Sequence, residues 1–222
     1  MRALRRVRHD DAGFSLVEML VTLVLTGIVL AMVASFFLAV TKSTAAGRDS
    51  SSAVGSASNA ADELGNMLGF AVPIAVSGSA TPTPAISAAS ASSITFTALP
   101  DQAAASPVPV QVTFSLDGSS NLVEQRVTGV AGSGTWGFSG TASSVTFHGP
   151  FDTSGTPLLT YLTATGATVG TGSGTLTAAQ LATVTAVRVN LAVSKPSIPA
   201  ANEVAVVRTI AMPNLLLNGS AS

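Results

Sequence analysis

The sequence predicts an α+β fold in which a long N-terminal helix, membrane-spanning in its first half, packs on an antiparallel β-sheet head. Three observations carry this prediction. Residues 16–40 form an almost uninterrupted apolar run, residues 54–71 repeat apolar side chains at spacings of three and four, and beyond residue 93 the period drops to two. The chain has 222 residues, 47% of them apolar, enough for one sizeable domain beside such a helix.

Charge comes first in the chain. Arg2, Arg5, Arg6 and Arg8 crowd the opening residues, whereas only 9% of the whole chain is charged and the formal net charge is -1. That balance removes the electrostatic case for extended nucleic-acid binding. The positive-inside tendency keeps the Arg-rich end cytoplasmic and exports the chain beyond the apolar run. The absence of cysteine excludes a disulfide scaffold and any thiolate metal or redox site.

The apolar segment LVEMLVTLVLTGIVLAMVASFFLAV, Leu16 to Val40, contains one charge, Glu18. About 25 helical residues at 1.5 Å each exceed a ~30 Å hydrocarbon core, so the segment can span a membrane. A carboxylate at its edge calls for a partner. One reading is a cleaved secretory signal, although the run is long for one and carries an acid. A second is an uncleaved single-pass anchor, which accounts for everything except Glu18 and the glycine before Phe14. A third is a cut between Gly13 and Phe14 that keeps the whole apolar helix. Such a cut creates an α-ammonium at the helix tip, and staggered copies can pair each ammonium with a neighbour's Glu18, so that charge sets the register.

The stretch GFSLVEML, behind a short basic leader and opening a long apolar helix, resembles the cleavage and methylation motif of type IV prepilins and pseudopilins. The resemblance implies that a membrane-embedded prepilin peptidase cuts after Gly13 and methylates the amine of Phe14, and that Glu18 pairs with a neighbouring subunit's N-terminus. Partners implied in the same way are the peptidase/methyltransferase, other pilin or pseudopilin subunits, an inner-membrane assembly platform and membrane lipid. The expected location is the inner membrane, with the N-terminus cytoplasmic and the head exported, and then the fibre at the cell envelope. No proline interrupts the apolar helix, unlike several major pilins; Gly27 is its one glycine.

After Lys42 the composition turns small and polar, yet Val54, Ala57, Ala61, Leu64, Leu68 and Ala71 make one apolar stripe with Asp62 and Glu63 off it. This predicts a helix that continues the first, with a kink site at residues 47–55 and a total span of about 85 Å. Residues 73–92 read as a loop rich in Pro, Ser and Ala. Ile94 and Phe96 then alternate with polar neighbours, as do Val108, Val110, Val112, Phe114 and Leu116. The turn signal Asp117-Gly118-Ser119-Ser120 and the returning SNLVEQRVT complete a β-hairpin. A Gly-rich stretch separates it from a short strand at Val145 and Phe147, and VRVNLAV and EVAVVRTIAM supply two more strands. These alternations predict one sheet with one buried face, covered by the amphipathic half of the helix. The order of elements is similar to that of larger minor pilins and J-type or W-type pseudopilins.

The predicted organisation is therefore a leader at 1–13, a transmembrane or fibre-core helix at 14–41, its amphipathic continuation at 42–72, a loop at 73–92, the β head at 93–213 and a flexible tail at 214–222. No catalytic site, metal site or cofactor is expected. His148 is the only histidine after residue 13, and a Ser-His-Asp site with Asp152 has composition alone behind it. The GSGTWG at 132–137 matches a dinucleotide fingerprint, but a strand comes after it where a helix is required. Trp136 and Phe138 in this stretch read either as a plug at the edge of the head's core or as a surface contact for a neighbour. The expected function is that of a minor pilin or pseudopilin, a structural subunit and not an enzyme; the alternative is an exported adhesin-like binding domain on an uncleaved anchor.

Overall fold

The structure is a computed structural model that describes residues 15–79, 83–170, 174–193 and 204–218. The chain divides into two compact units, one up to Ala46 and one from Gly47 onward. Helix α1, Leu16–Gly69, has residues in both. In the first unit its side chains are exposed from residue 15 to 45, as an apolar face without protein cover must be. It is long and apolar enough to cross a membrane.

In the second unit the same helix turns amphipathic. Ala53, Ala57, Ala60, Ala61, Leu64, Met67 and Leu68 are buried, so four of the seven side chains on that face are alanines. Ala57, Ala61, Leu64, Leu68 and Ala71 are buried as the spacing predicts, but Val54 is exposed and Ala53 takes its place. Ala53, Ala60 and Met67, seven residues apart, widen the buried arc on the side away from Val54. After Gly69 the helix tightens into bonds from Phe70 N to Met67 O and Ala71 N to Leu68 O. Val72 N then donates to Thr97 O, so the chain leaves the helix directly along a strand.

Where one sheet was expected, the described residues of the second unit form two five-stranded sheets and a two-stranded ribbon, all antiparallel. The first sheet has the order β1 (Ile86–Ala89), β2 (Ser93–Ala98), β3 (Val110–Leu116), β4 (Leu122–Thr128), β7 (Ser143–Phe147). The ribbon pairs β5 (Val130–Ala131) with β6 (Trp136–Gly137). The second sheet runs β10 (Thr168–Val169), β9 (Leu159–Leu162), β11 (Ala186–Val193), β12 (Val204–Ala211), with β8 (Phe151–Asp152) also on β11. The helix α2, Ala178–Leu181, is closed by a capping box between Thr177 and Gln180.

The β3–β4 hairpin is the one predicted, with Leu116 opposite Leu122. Its turn is held by Asp117, whose Oδ1 accepts from Ser119 N and Asn121 N at 2.8 Å and whose Oδ2 accepts from Asn121 Nδ2 at 2.9 Å. These bonds, Asn121's amide first, hold the Asp117 carboxyl below its ordinary pKa. The predicted strands at Val145 and Phe147, at VRVNLAV and at EVAVVRTIAM are β7, β11 and β12. Along β11, Val187, Val189, Leu191 and Val193 are fully buried and alternate with more exposed residues.

Three expectations need correction. Residues 86–89, assigned to a loop, form β1, because Ile86 and Ala89 are buried while Ser and Ala give the alternation almost no hydrophobic contrast. The Gly-rich stretch after the first hairpin contains the β5–β6 ribbon. The tail from 214 is in part a helix, α3, Pro213–Asn218, anchored by the buried Met212 and by Asn214 Nδ2 donating to Ala71 O; residues 219–222 lie outside the described residues. The second sheet contains strands β8 to β10, which no alternation signalled. Tyr161 on β9 joins it to the first sheet by donating to the carbonyls of Ser90 and Ser93 at 2.8 and 3.0 Å. Burial raises the Tyr161 phenol well above its usual range.

Neighbouring acids on α1 reach both sheets. Asp62 pairs with Arg208 on β12, with both side chains about half-exposed, while Glu63 pairs with Arg126 on β4. Arg126 Nε also donates at 2.6 Å to Oε1 of Glu124, which is 1% exposed and faces the core beside Leu122. Glu124 Oε2 has no hydrogen-bond partner among the described residues. Arg126 is therefore the counter-charge that makes a buried carboxylate tolerable. Arg126→Ala is expected to cost about 3–5 kcal/mol in chemical denaturation of the detergent-solubilised chain. Asp62→Ala, which removes an exposed pair, is expected to cost no more than about 1 kcal/mol.

Candidate functional site: the helix tip and the Trp136 ribbon

Gly13 and Phe14 lie outside the described residues. Met19 N donates to Ser15 O at 3.0 Å, so helical bonding begins at once beyond Phe14. Glu18 stands in the first turn of α1, where the unpaired N–H groups of a helix favour negative charge. It is exposed and forms no ion pair among the described residues. Farther along, the hydroxyls of Thr22, Thr26, Ser35, Thr41 and Thr44 donate to carbonyls three or four residues back. Such bonds satisfy the hydroxyl protons inside an apolar segment. A Cβ added at Gly27 would meet nothing within 4 Å outside its own helix turn, and the helix continues through it.

In the second unit, Trp136 is placed by its backbone. Its N–H donates to Ala75 O and its carbonyl accepts from Ser77 N, both at 2.9 Å, while β6 pairs with β5 on its other side. Trp136 and Phe138 are both half-buried, and their rings lie over Gly129. They are neither among the fully buried core nor free side chains on a loop. A Cβ at Gly129 would lie 2.8 Å from the Pro109 carbonyl oxygen and 3.1 and 3.2 Å from Trp136 Cε3 and Phe138 Cε1. Glycine here lets the two rings close over the backbone.

Within the GSGTWG stretch, residues 132–135 form the turn between β5 and β6, and Trp136 and Gly137 are β6 itself. Gly132 N donates to Thr135 O, Gly134 adopts a φ of 77°, and a strand comes next. The helix N-terminus that a pyrophosphate would need is not part of this turn. His148 contributes its backbone carbonyl as acceptor for Ser56 Oγ. Asp152, at the end of β8, accepts at Oδ1 from Ser154 N at 2.7 Å. No group of three or more metal-ligating side chains occurs among the described residues. The charged set that sequence reasoning missed is Glu63, Arg126 and Glu124. Its signal was present in LVEQRV, where alternation puts Glu124 and Arg126 on the same face as Leu122.

The model of the prokaryotic N-terminal methylation motif matches residues 8–34, which include Gly13, Phe14 and Glu18. No curated protein matches the chain.

Gly129→Ala is expected to destabilise the chain by about 1–3 kcal/mol through overpacking and to shift the fluorescence of its single tryptophan. Gly118→Ala, at a position with open space around it, is expected to leave the emission unchanged.

Proposed function

With its N-terminal methylation motif supporting membership of the type IV pilin and pseudopilin family, we propose that the chain is a minor subunit of that class, assembled into a pilus or a pilus-like secretion or DNA-uptake fibre. The observation that carries the proposal is the match over residues 8–34 together with Glu18 in the first turn of a helix otherwise uncharged from Leu16 to Thr41. The family and the apolar helix fit prepilin processing, membrane anchoring and assembly with other pilins.

Each part then has a role. Cleavage after Gly13 by the prepilin peptidase exposes the α-amino group of Phe14, and methylation keeps it cationic. The apolar helix holds the precursor in the inner membrane until it is drawn into the fibre, where other apolar helices replace lipid. The Glu18 carboxylate receives a neighbour's N-terminal ammonium and sets the axial register. The exported head supplies surface, with the half-exposed Trp136 and Phe138 as its contact for another subunit. A chain retained as an uncleaved anchor would need neither the cut nor the carboxylate.

Mass spectrometry of the chain from its native membrane is expected to show a mature start at N-methylated Phe14; an N-terminus left at Met1 or Arg2 in a host that processes other prepilins would overturn the proposal. Glu18→Ala is expected to be processed normally yet largely lost from sheared fibres, as quantified by immunoblot of the fibre fraction.

A further inference from the structure

The polar residues that open the apolar helix lie on one side. Ser15, Glu18, Thr22 and Thr26 recur at spacings of three, four and four, which at about 100° per residue keeps them within an arc of roughly 80°. Val17, Leu20, Val21, Val24 and Leu25 line an apolar depression centred on the other side. Ser35, a turn and more farther on, lies outside the arc, and its hydroxyl is consumed by the carbonyls of Ala31 and Met32.

From Glu18 to Thr26 the chemistry of this arc is one-sided. The Thr22 hydroxyl donates its proton to Met19 O at 2.9 Å, and the Thr26 hydroxyl donates to Thr22 O at 2.7 Å. Each oxygen keeps lone pairs, and a carboxylate such as that of Glu18 is acceptor-only. The outward face is therefore a row of acceptors about 12 Å long from Glu18 to Thr26. Lipid tails offer no donors to such a row. A helix N-terminus offers several: an α-ammonium and first-turn N–H groups that have no partner in their own helix.

We infer that Glu18, Thr22 and Thr26 form an acceptor seam that docks the N-terminal tip of a second processed subunit's apolar helix. This rests on the proposed function and extends it to two residues, Thr22 and Thr26, to one face, and to a limited stagger. A neighbouring tip seated between Glu18 and Thr26 lies about 6 to 18 Å along the axis from this chain's own tip. The opposite face, with Val24 and Ile28, is left to lipid or to neighbours that bring no donor.

The test is photo-crosslinking in native membranes with the peptidase and assembly machinery present. A benzophenone amino acid replaces Val29 or Val33, which continue the arc, or Val24 or Ile28, which oppose it. The seam predicts several-fold more adducts from Val29 and Val33, mapped by mass spectrometry to the first turns of a processed subunit. It also predicts that the double variant Thr22→Val, Thr26→Val lowers those adducts several-fold while cleavage after Gly13 continues. Equal adducts from both arcs, adducts with lipid alone, or adducts indifferent to the double variant overturn the seam. A chain left uncut in the same membranes overturns the subunit reading instead, so the two failures are distinct.

Discussion

The head depends on the packing of one narrow helical face against strands from two sheets. From Ala53 to Leu68, α1 contributes four buried alanines and the larger side chains of Leu64, Met67 and Leu68. These join a core that contains Phe96 and Phe114 of the first sheet and Val187, Val189 and Leu191 of the second. Neither sheet is closed on itself, so without the helix each would expose an apolar face. The ion pairs from Asp62 and Glu63 hold the helix in rotation, one to each sheet. Their energetic weights differ because Arg126 also neutralises the buried Glu124, whereas Arg208 serves an exposed partner.

The apolar part of α1 obeys the opposite rule. It is exposed along its length and uncharged except at Glu18, which suits lipid or other apolar helices and does not suit water. Its polar atoms are economical. Threonine and serine protons are absorbed by the helix's own carbonyls, and the one carboxylate sits where the helix end tolerates it. A segment of this kind is stable in a membrane and gains specificity only when a donor arrives at the acceptor side. On the proposed function, that would link the motif at residues 8–34 to assembly with other subunits.

Much of this was legible in the residues. The β3–β4 hairpin had strong alternation, Val and Phe on one face and a turn held by Asp117, and it was found in place. The helix stripe was right at five positions and rotated at Val54, because a spacing of three or four cannot distinguish Ala53 from Val54 until both edges of the buried arc are known. Strand β1 was hidden by alanine and serine, which read alike whether inside or outside. Strands β8 and β10 are two residues each and have no period to detect. Of the candidate site, Glu18 stood out because it was alone in an apolar run. Glu124 did not, because an acid in a strand reads as solvent-facing until Arg126, two residues on, is seen to share its face.

The central claim is that this chain leaves the membrane for a fibre once its leader is removed. Quantitative proteomics of sheared, purified fibres from the native host, with and without its prepilin peptidase, tests this most directly. The account predicts head peptides in the fibre fraction of the parent strain and their retention in the membrane fraction, still carrying residues 1–13, when the peptidase is deleted. Head peptides that stay with the membrane in both strains, at the same precursor mass, would contradict it.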